Sequence, residues 1–128
     1  MSEIFEPSRR SWPRKFRDAF RGLYCGAVAE KSFYVHTLFA VAVVVAALLF
    51  RVSATQWCLL LLSIALVATA EMLNTALERL AKAVDIKTNP FLADALDMGS
   101  AAVLLASLGA ALVGAIIFLG RLVELLSP

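Results

Sequence analysis

Three long stretches of the chain are almost free of charged residues and are separated by short polar segments. These stretches run over residues 33–50, 52–70 and 98–120. Each is close to the roughly 20 residues that an α-helix needs to cross the hydrocarbon core of a bilayer. The pattern predicts an all-α membrane protein whose transmembrane helices cover residues 33–51, 55–81 and 98–122.

A different pattern precedes the first apolar stretch. From Pro13 onward, apolar residues recur at helical spacing, while most cations occupy the other positions. This predicts an amphipathic helix over residues 13–32 that lies on an anionic membrane surface. The apolar stripe, continued by three residues from Ala27, reaches Glu30. Residues 1–12 are predicted to be a disordered tail, and residues 1–128 to form a single membrane domain.

The segments between the apolar stretches contain residues typical of helix ends. Ser53 and Gln56 have the spacing of a capping box that starts the second transmembrane helix. Asn89 and Pro90 are typical of the N-cap and first turn of the next helix. That helix is predicted to begin with an amphipathic segment and to continue into the third span.

Composition supports a membrane protein and excludes an ordinary soluble domain. Hydrophobic residues make up 61% of the chain, charged residues 17%, and the mean hydropathy is +0.82, against roughly half apolar and a quarter charged in soluble domains. Nothing in the charge pattern suggests a nucleic-acid partner. Cations concentrate before the first span and between the second and third. The positive-inside rule therefore predicts a cytoplasmic N-terminus and an outward C-terminus.

Polar residues interrupt the end of the second apolar stretch. Glu71 and Glu78 are seven residues apart and share one helix face, offset by about 20°, and Asn74 borders that face. A charged side chain in a span costs about 2.5–3.5 kcal/mol on insertion scales, so such residues usually face a polar interior and act there. These three residues are therefore candidates for function.

Further polar residues are predicted at the same cytoplasmic boundary. Asp97 and Ser100 form a polar edge at the start of the third span, and Glu30 adds a carboxylate from the surface helix. Carboxylates with few nearby cations suit a hard divalent ion such as Mg²⁺, which often binds together with phosphates. A carboxylate in the low-dielectric region can act as a general base. Together these features suggest phosphoryl transfer to a lipid alcohol.

Several of these residues also have structural interpretations. Glu78 can be a solvated helix end, and Asn74 can form interhelical hydrogen bonds. Asp94 fits a first-turn acid favoured by the helix dipole. His36 fits a packed or capping residue near the interface. Glu71 resists such an explanation, because it lies about two turns inside the helix end and has no cation four residues away on its own helix.

Three motifs resemble a known family. "EMLNTALE" resembles the Glu-x-x-Asn-[Ser/Thr]-Ala-[Ile/Leu]-Glu signature of the small prokaryotic diacylglycerol kinases, a family that also includes undecaprenol kinases. "DMGSAAVLL" resembles the second signature of this family, and "AFRGLYCGAVAEKSFYVH" resembles its surface helix. The similarity covers about residues 15–120. It implies a homotrimer in the bacterial cytoplasmic (inner) membrane, with ATP as donor, Mg²⁺ as cofactor and a membrane lipid alcohol as acceptor.

The resemblance also implies roles for individual residues. Glu30 and Glu78 are expected to hold the metal ion that bridges the ATP phosphates. Glu71 is expected to be the base that faces the acceptor hydroxyl, Asn74 to position phosphate and acceptor, and Asp97 to contact the nucleotide. Ser100 is a further candidate for substrate binding. Candidates for contact with the phosphates, in the absence of a Walker motif, are Arg14, Lys15 and Arg17.

Two positions depart from the family pattern. Leu96 stands where the family usually has the lysine before the aspartate of the third span, and Lys82 stands where an acid is common. The missing lysine leaves open an alternative, a non-catalytic lipid-binding or scaffold protein derived from this family. A transporter is disfavoured, because three spans leave little room for alternating access. "SFYVH" and "SATQW" resemble the undecaprenol branch and favour undecaprenol over diacylglycerol as acceptor.

Overall fold

The computed structural model describes residues 11–29, 31–84 and 89–127, and every regular element in these ranges is an α-helix. In chain order the helices are α1 (Trp12–Ala29), α2 (Lys31–Leu49), α3 (Ala54–Ala83) and α4 (Pro90–Leu126). Helices α2, α3 and α4 are long and apolar enough to cross a membrane. The prediction of an all-α fold with three membrane-spanning helices is confirmed.

The helices lie where they are predicted, but their first and last residues differ from the predicted bounds. Helix α2 begins two residues before the predicted start at residue 33, and α3 continues two residues beyond 81. Helix α4 joins the predicted amphipathic start and the predicted span into one helix of 37 residues. Helix α1 corresponds to the predicted surface helix, whose place on the membrane stays a prediction. The first ten residues of the predicted tail lie outside the described residues.

Local sequence signals set the two best-defined helix starts. The Ser53 side chain accepts a hydrogen bond from the Gln56 backbone N–H at 3.3 Å, and the Gln56 side chain accepts one from the Ser53 N–H at 2.9 Å. This is the predicted capping box. Asn89 accepts from the Phe91 N–H at 3.1 Å, and Pro90 occupies the first turn of α4. Both caps satisfy backbone donors that have no partner within the helix.

The three long helices run antiparallel to their chain neighbours. Ser32 near the start of α2 contacts Glu71 in the second half of α3, whereas Ala47 near the end of α2 packs with Leu60 in the first half of α3. Ile117 of α4 joins this second cluster, where the Phe50 and Phe118 rings pack at a tilt of 56° with their centroids 5.7 Å apart. The largest apolar cluster of the described residues therefore lies at the end opposite Glu71.

Arg121 links α4 to the turn between α2 and α3 at that end. Arg121 of α4 donates from Nε and a terminal nitrogen to the Phe50 carbonyl, at 3.2 and 3.1 Å, and to the Arg51 carbonyl at 3.3 Å. It also pairs with Glu124. These carbonyls belong to the turn after α2, where Arg51 adopts a left-handed backbone with φ 49°. The guanidinium thus satisfies helix-end carbonyls that would otherwise need water.

The outward faces of the spanning helices are apolar. Leu38, Leu105 and Ile116 are each about 70% or more exposed, and they represent a much larger set of exposed leucine, valine and phenylalanine side chains. Soluble monomers rarely expose contiguous apolar surfaces of this extent. The surface is that of helices that contact lipid or other membrane helices.

Candidate active site

Glu71 is the most deeply buried carboxylate among the described residues. It is 3% exposed and lies on the face of α3 that packs against α2. The Ser32 hydroxyl donates to Oε1 of Glu71, and Nε2 of His36 lies 3.7 Å from Oε2. The partners that Glu71 lacks on its own helix therefore come from α2. Because burying a charge is costly without partners, these two contacts explain how a carboxylate is tolerated here.

The contact with Ser32 also defines the depth of Glu71 in a membrane. Helix α2 has 19 residues and is therefore about 28 Å long, close to the roughly 30 Å of the hydrocarbon core. If α2 spans the core, its first turn lies at the boundary between hydrocarbon and headgroups. Ser32 belongs to that turn, so a membrane spanned by α2 would have Glu71 at this boundary.

Asn74 and Glu78 form a second polar pair, one turn further along α3. Nδ2 of Asn74 donates to Oε1 of Glu78 at 2.8 Å. Oδ1 of Asn74 is buried and has no hydrogen-bond partner among the described residues. This oxygen lies against α4, where a Cβ on Gly99 would come within 2.5 Å of it. The predicted face carrying Glu71, Asn74 and Glu78 therefore exists, and it spans the region between α2 and α4.

Helix α1 packs against the other side of the same segment of α3. A terminal nitrogen of Arg79 donates to the Cys25 carbonyl at 3.1 Å. Gly26 of α1 is buried beside Met72, whose sulfur lies 2.3 Å from where a Cβ on Gly26 would stand. These contacts dock the second half of α1 on the side of α3 that carries Met72, Thr75 and Arg79. Glu30, predicted to hold a metal ion, occupies the position between α1 and α2 and lies outside the described residues.

The residues predicted on α4 lie at the edge of this site. Asp97 and Ser100 are exposed, whereas Leu96 is half-buried. The Ser100 hydroxyl donates to the Leu96 carbonyl of its own helix at 3.1 Å. Within the described ranges, Asp97 makes no hydrogen bond to α3. The structure therefore brings these residues to the same end of the bundle without joining them to Glu71, Asn74 or Glu78.

The predicted phosphate-contacting cations lie farther away, in the first turns of α1. Arg14, Lys15 and Arg17 are exposed, and the Lys15 ammonium lies over the Trp12 ring, 4.8 Å from its centroid. Lys15 precedes Cys25 by ten residues, which corresponds to about 15 Å along a helix. These cations are therefore not part of the polar face in this chain.

An open groove of about 790 Å³ runs along the outer side of the α3–α4 contact. Asn74 is its most polar lining residue at one end, and the rest of its lining is mainly apolar, including Leu66, Leu73, Met98 and Leu105. A second, smaller groove lies between α1 and α3, beside Thr75 and Arg79. A polar face beside an apolar groove suits a substrate with a polar head and an apolar chain.

The oxygen atoms on the polar face are of the type that binds a hard cation. The carboxylate of Glu78 and the unpartnered Oδ1 of Asn74 are the oxygen ligands that Mg²⁺ accepts. Within residues 11–29, 31–84 and 89–127, no group of three potential metal ligands occurs. The predicted pair of Glu30 and Glu78 includes one residue outside these ranges.

Two residues at this site were not predicted as functional. Ser32 is not among the candidates from the sequence, and the sequence pattern predicts His36 to be a packed or capping residue. They are four residues apart, which places them on one face of α2. A serine and the chain's single histidine at this spacing, in the first turns of a spanning helix, form the signal that could have indicated a partner for Glu71.

Comparison with known proteins identifies the family. The model of the family described as prokaryotic diacylglycerol kinase matches residues 17–118. This chain belongs to the prokaryotic diacylglycerol kinase family. The match includes Glu71, Asn74, Glu78, Asp97 and the whole of α2 and α3. Membership in this kinase family confirms the prediction of a membrane lipid kinase.

Two curated relatives in this kinase group carry different names. The undecaprenol kinase of Bacillus subtilis (strain 168) is 30% identical over 109 residues, which cover 85% of this chain and 89% of the relative. The diacylglycerol kinase of Synechocystis sp. (strain ATCC 27184 / PCC 6803 / Kazusa) is 36% identical over 112 residues. That match covers 87% of this chain but 64% of the relative's length.

Proposed function

We propose that this protein transfers the γ-phosphoryl group of ATP to the hydroxyl of a membrane lipid alcohol, either undecaprenol or diacylglycerol. One observation carries this proposal: a buried carboxylate, Glu71, lies on the same face of α3 as the Asn74–Glu78 pair. The family match supports the reaction class. The depth of Glu71 at the first turn of α2 supports a hydroxyl that is presented at the membrane boundary.

In this proposal, Glu71 is the general base. The oxygen of the lipid hydroxyl forms a bond to the γ-phosphorus, and the bond between that phosphorus and its bridging oxygen breaks, so that ADP leaves. The hydroxyl proton passes to the Glu71 carboxylate. Phosphoryl transfer depends mainly on positioning and electrostatic stabilisation. The proposed task of Asn74 is to orient the phosphate and acceptor, with Asp97 on the nucleotide side and Ser100 beside the substrate.

Glu78 and Glu30 are the proposed ligands for Mg²⁺, which when bound would neutralise negative charge on the ATP phosphates. The hydrogen bond from Asn74 fixes one oxygen of Glu78 at 2.8 Å, so that the carboxylate has a defined orientation. We further propose a homotrimer, with the N-terminus and this site on the cytoplasmic side of the bacterial cytoplasmic membrane. The cations of α1 would then lie near the membrane surface, where Arg14, Lys15 and Arg17 are candidates for contact with phosphates.

Undecaprenol and diacylglycerol are the candidate acceptors for this chain, because one relative is named for each of them. Two features favour undecaprenol. They are the motifs "SFYVH", which contains His36, and "SATQW", which contains Trp57, because both resemble the undecaprenol branch. We expect faster phosphorylation of undecaprenol than of diacylglycerol at equal mole fraction in the membrane.

The test uses purified protein in mixed micelles with each lipid, ATP and Mg²⁺. We expect phosphorylated lipid with both components present and none when Mg²⁺ is omitted. The Glu71→Gln variant should be slower by about 10²–10⁴-fold, because it keeps the shape of the side chain but removes the proton acceptor. Glu124→Gln is the matched control, since Glu124 is exposed near the opposite end of the bundle. Activity of Glu71→Gln equal to that of the control would disprove the catalytic assignment.

Leu96 favours one alternative, a non-catalytic lipid-binding or scaffold protein. It replaces the family lysine and presents a half-buried apolar side chain. In this alternative, purified protein would bind lipid but would produce no phosphorylated product with either acceptor. Turnover with either lipid therefore separates the two functions.

A further inference from the structure

Each oxygen of the Glu71 carboxylate faces a different side chain of α2. The Ser32 hydroxyl donates a hydrogen bond to Oε1, and Nε2 of the His36 imidazole lies 3.7 Å from Oε2. Ser32 and His36 are one turn apart, so the two contacts come from the same face of α2. Side chains of α2 therefore contact both carboxylate oxygens of Glu71 on the neighbouring helix α3.

This arrangement matters because a free glutamate side chain is flexible. Glutamate has several rotatable bonds, and a base that acts on a bound hydroxyl must stay within hydrogen-bond reach of it. An ionised carboxylate offers about four acceptor positions. One hydrogen bond from Ser32 therefore fixes the group and still leaves positions that can accept the proton of the acceptor alcohol.

We infer that Ser32 and His36 are positioning residues for phosphoryl transfer, which hold the Glu71 carboxylate in the orientation that accepts the proton. This inference rests on the proposed function, in which Glu71 is the base. Ser32 provides the hydrogen bond that sets the orientation. His36 provides a second contact, which at 3.7 Å is longer than a hydrogen bond and therefore restrains the carboxylate less strongly.

The inference predicts a separation of kinetic constants. Ser32→Ala should lower kcat by roughly ten- to a hundredfold, the range that a misplaced catalytic group produces. The KM for ATP should change little, because the proposed nucleotide ligands lie on other parts of the site, around Glu78. His36→Ala should cause a smaller loss of kcat, and the KM for ATP should again be retained.

Two further variants distinguish positioning from packing. Ser32→Thr keeps the hydroxyl and should retain most of the activity. Ser63→Ala is the matched control, because the Ser63 hydroxyl donates within α3, to the Leu59 carbonyl at 2.8 Å. It removes the same group from a spanning helix without touching Glu71. Ser32→Cys has nearly the same shape but only a weak donor, and its kcat should lie between those of Ser32→Ala and Ser32→Thr.

A double-mutant cycle with Glu71→Gln completes the test. If Ser32 acts through Glu71, Ser32→Ala should cause little further loss of kcat in the Glu71→Gln background. Full additivity of the two losses would overturn the inference, as would a Ser32→Ala variant with the kcat of Ser63→Ala. Wild-type kcat in Glu71→Gln alone would instead overturn the proposed role of Glu71. Size-exclusion profiles and thermal midpoints of all variants identify any loss that comes from misfolding.

Discussion

Among the described residues, one polar atom of the Asn74 amide has a hydrogen-bond partner and the other has none. Nδ2 donates to Glu78, whereas Oδ1 is buried and lacks a hydrogen-bond partner in the described part of the chain. Leaving a buried acceptor unpaired costs about 1–3 kcal/mol. The proposed role of Asn74 would give this oxygen a partner, because it could accept a hydrogen bond from the hydroxyl of the acceptor.

Gly99→Ala tests how closely Asn74 is confined. A Cβ at position 99 would lie 2.5 Å from Oδ1 of Asn74 and 3.1 Å from Cδ1 of Leu77. We expect the amide to rotate away, which breaks the bond to Glu78, lowers kcat by about tenfold or more and lowers the thermal midpoint. Gly120→Ala is the control, because no atom of the described residues lies within 4 Å of a Cβ there. Equal kcat in the two variants would contradict this account.

Leu96→Lys tests the position at which the chain departs from its family. The lysine would place a cation one residue before Asp97, on the nucleotide side of the proposed site. We expect a higher kcat or a lower KM for ATP, since a positive charge would stabilise the transferring phosphoryl group.

The control for Leu96→Lys is Ala93→Lys, which adds the same charge at an exposed position one turn earlier on α4. The same change in KM for both variants would mean that general attraction of ATP, and not the position of the cation, produces the effect.

The docking of α1 on α3 depends on a close approach at one glycine. Gly26 is buried against the Met72 side chain, with the sulfur 2.3 Å and the terminal methyl carbon 2.7 Å from the position of a Cβ. Arg79 adds a hydrogen bond to the neighbouring Cys25 carbonyl. Because these contacts lie in the second half of α1, they determine how this part of the helix packs on α3.

Gly26→Val is expected to loosen α1 from α3. A branched side chain cannot fit beside Met72 unless the methionine or the helix moves. We predict faster protease cleavage within α1 and a lower kcat. Gly22→Val should have little effect, since a Cβ at that position meets no atom within 4 Å in the described part of the chain.

Adding Met72→Ala to Gly26→Val should restore protection of α1, because the smaller side chain opens the space that valine needs. No recovery in this double variant would show that the contact with Met72 does not control the docking of α1.

The protein as a whole combines helices of unequal length. Helices α3 and α4 contain 30 and 37 residues, or about 45 and 55 Å, and both exceed the roughly 30 Å of a hydrocarbon core. Helix α2 barely spans this distance. The extra turns of α3 and α4 carry Glu78, Arg79, Asp94 and Asp97, so the charged ends are positioned to extend into the headgroup region.

Cysteine labelling tests the predicted orientation. Ser2→Cys and Ser127→Cys would be introduced separately after replacement of the two natural cysteines, Cys25 and Cys58. The excess of cations before the first span predicts that a membrane-impermeant maleimide labels Cys at position 127, but not at position 2, in intact cells. Labelling at position 2 from outside would reverse the topology and place the proposed site on the wrong side for cytoplasmic ATP.

Features that depend on neighbouring residues could be predicted from the sequence, and contacts between helices could not. The capping box at Ser53 and the Asn89–Pro90 start are local, and the structure contains both. The face shared by Glu71 and Glu78 follows from helical periodicity. The contact between Ser32 and Glu71 joins residues 39 apart and depends on the rotation of α2 about its axis. Arg121 binds a backbone carbonyl 71 residues away, and a carbonyl has no sequence signature.

The hydrogen bonds of Arg121 make the end of α2 near Phe50 a fixed pivot. Ser32 lies about 27 Å from this point, near the other end of the helix. A tilt of about 5° around the pivot therefore moves Ser32 by about 2 Å, which is enough to break and reform a hydrogen bond. The contacts of the Glu71 carboxylate therefore depend on the tilt that Arg121 gives to the other end of α2, because Ser32 and Phe50 lie at opposite ends of this helix.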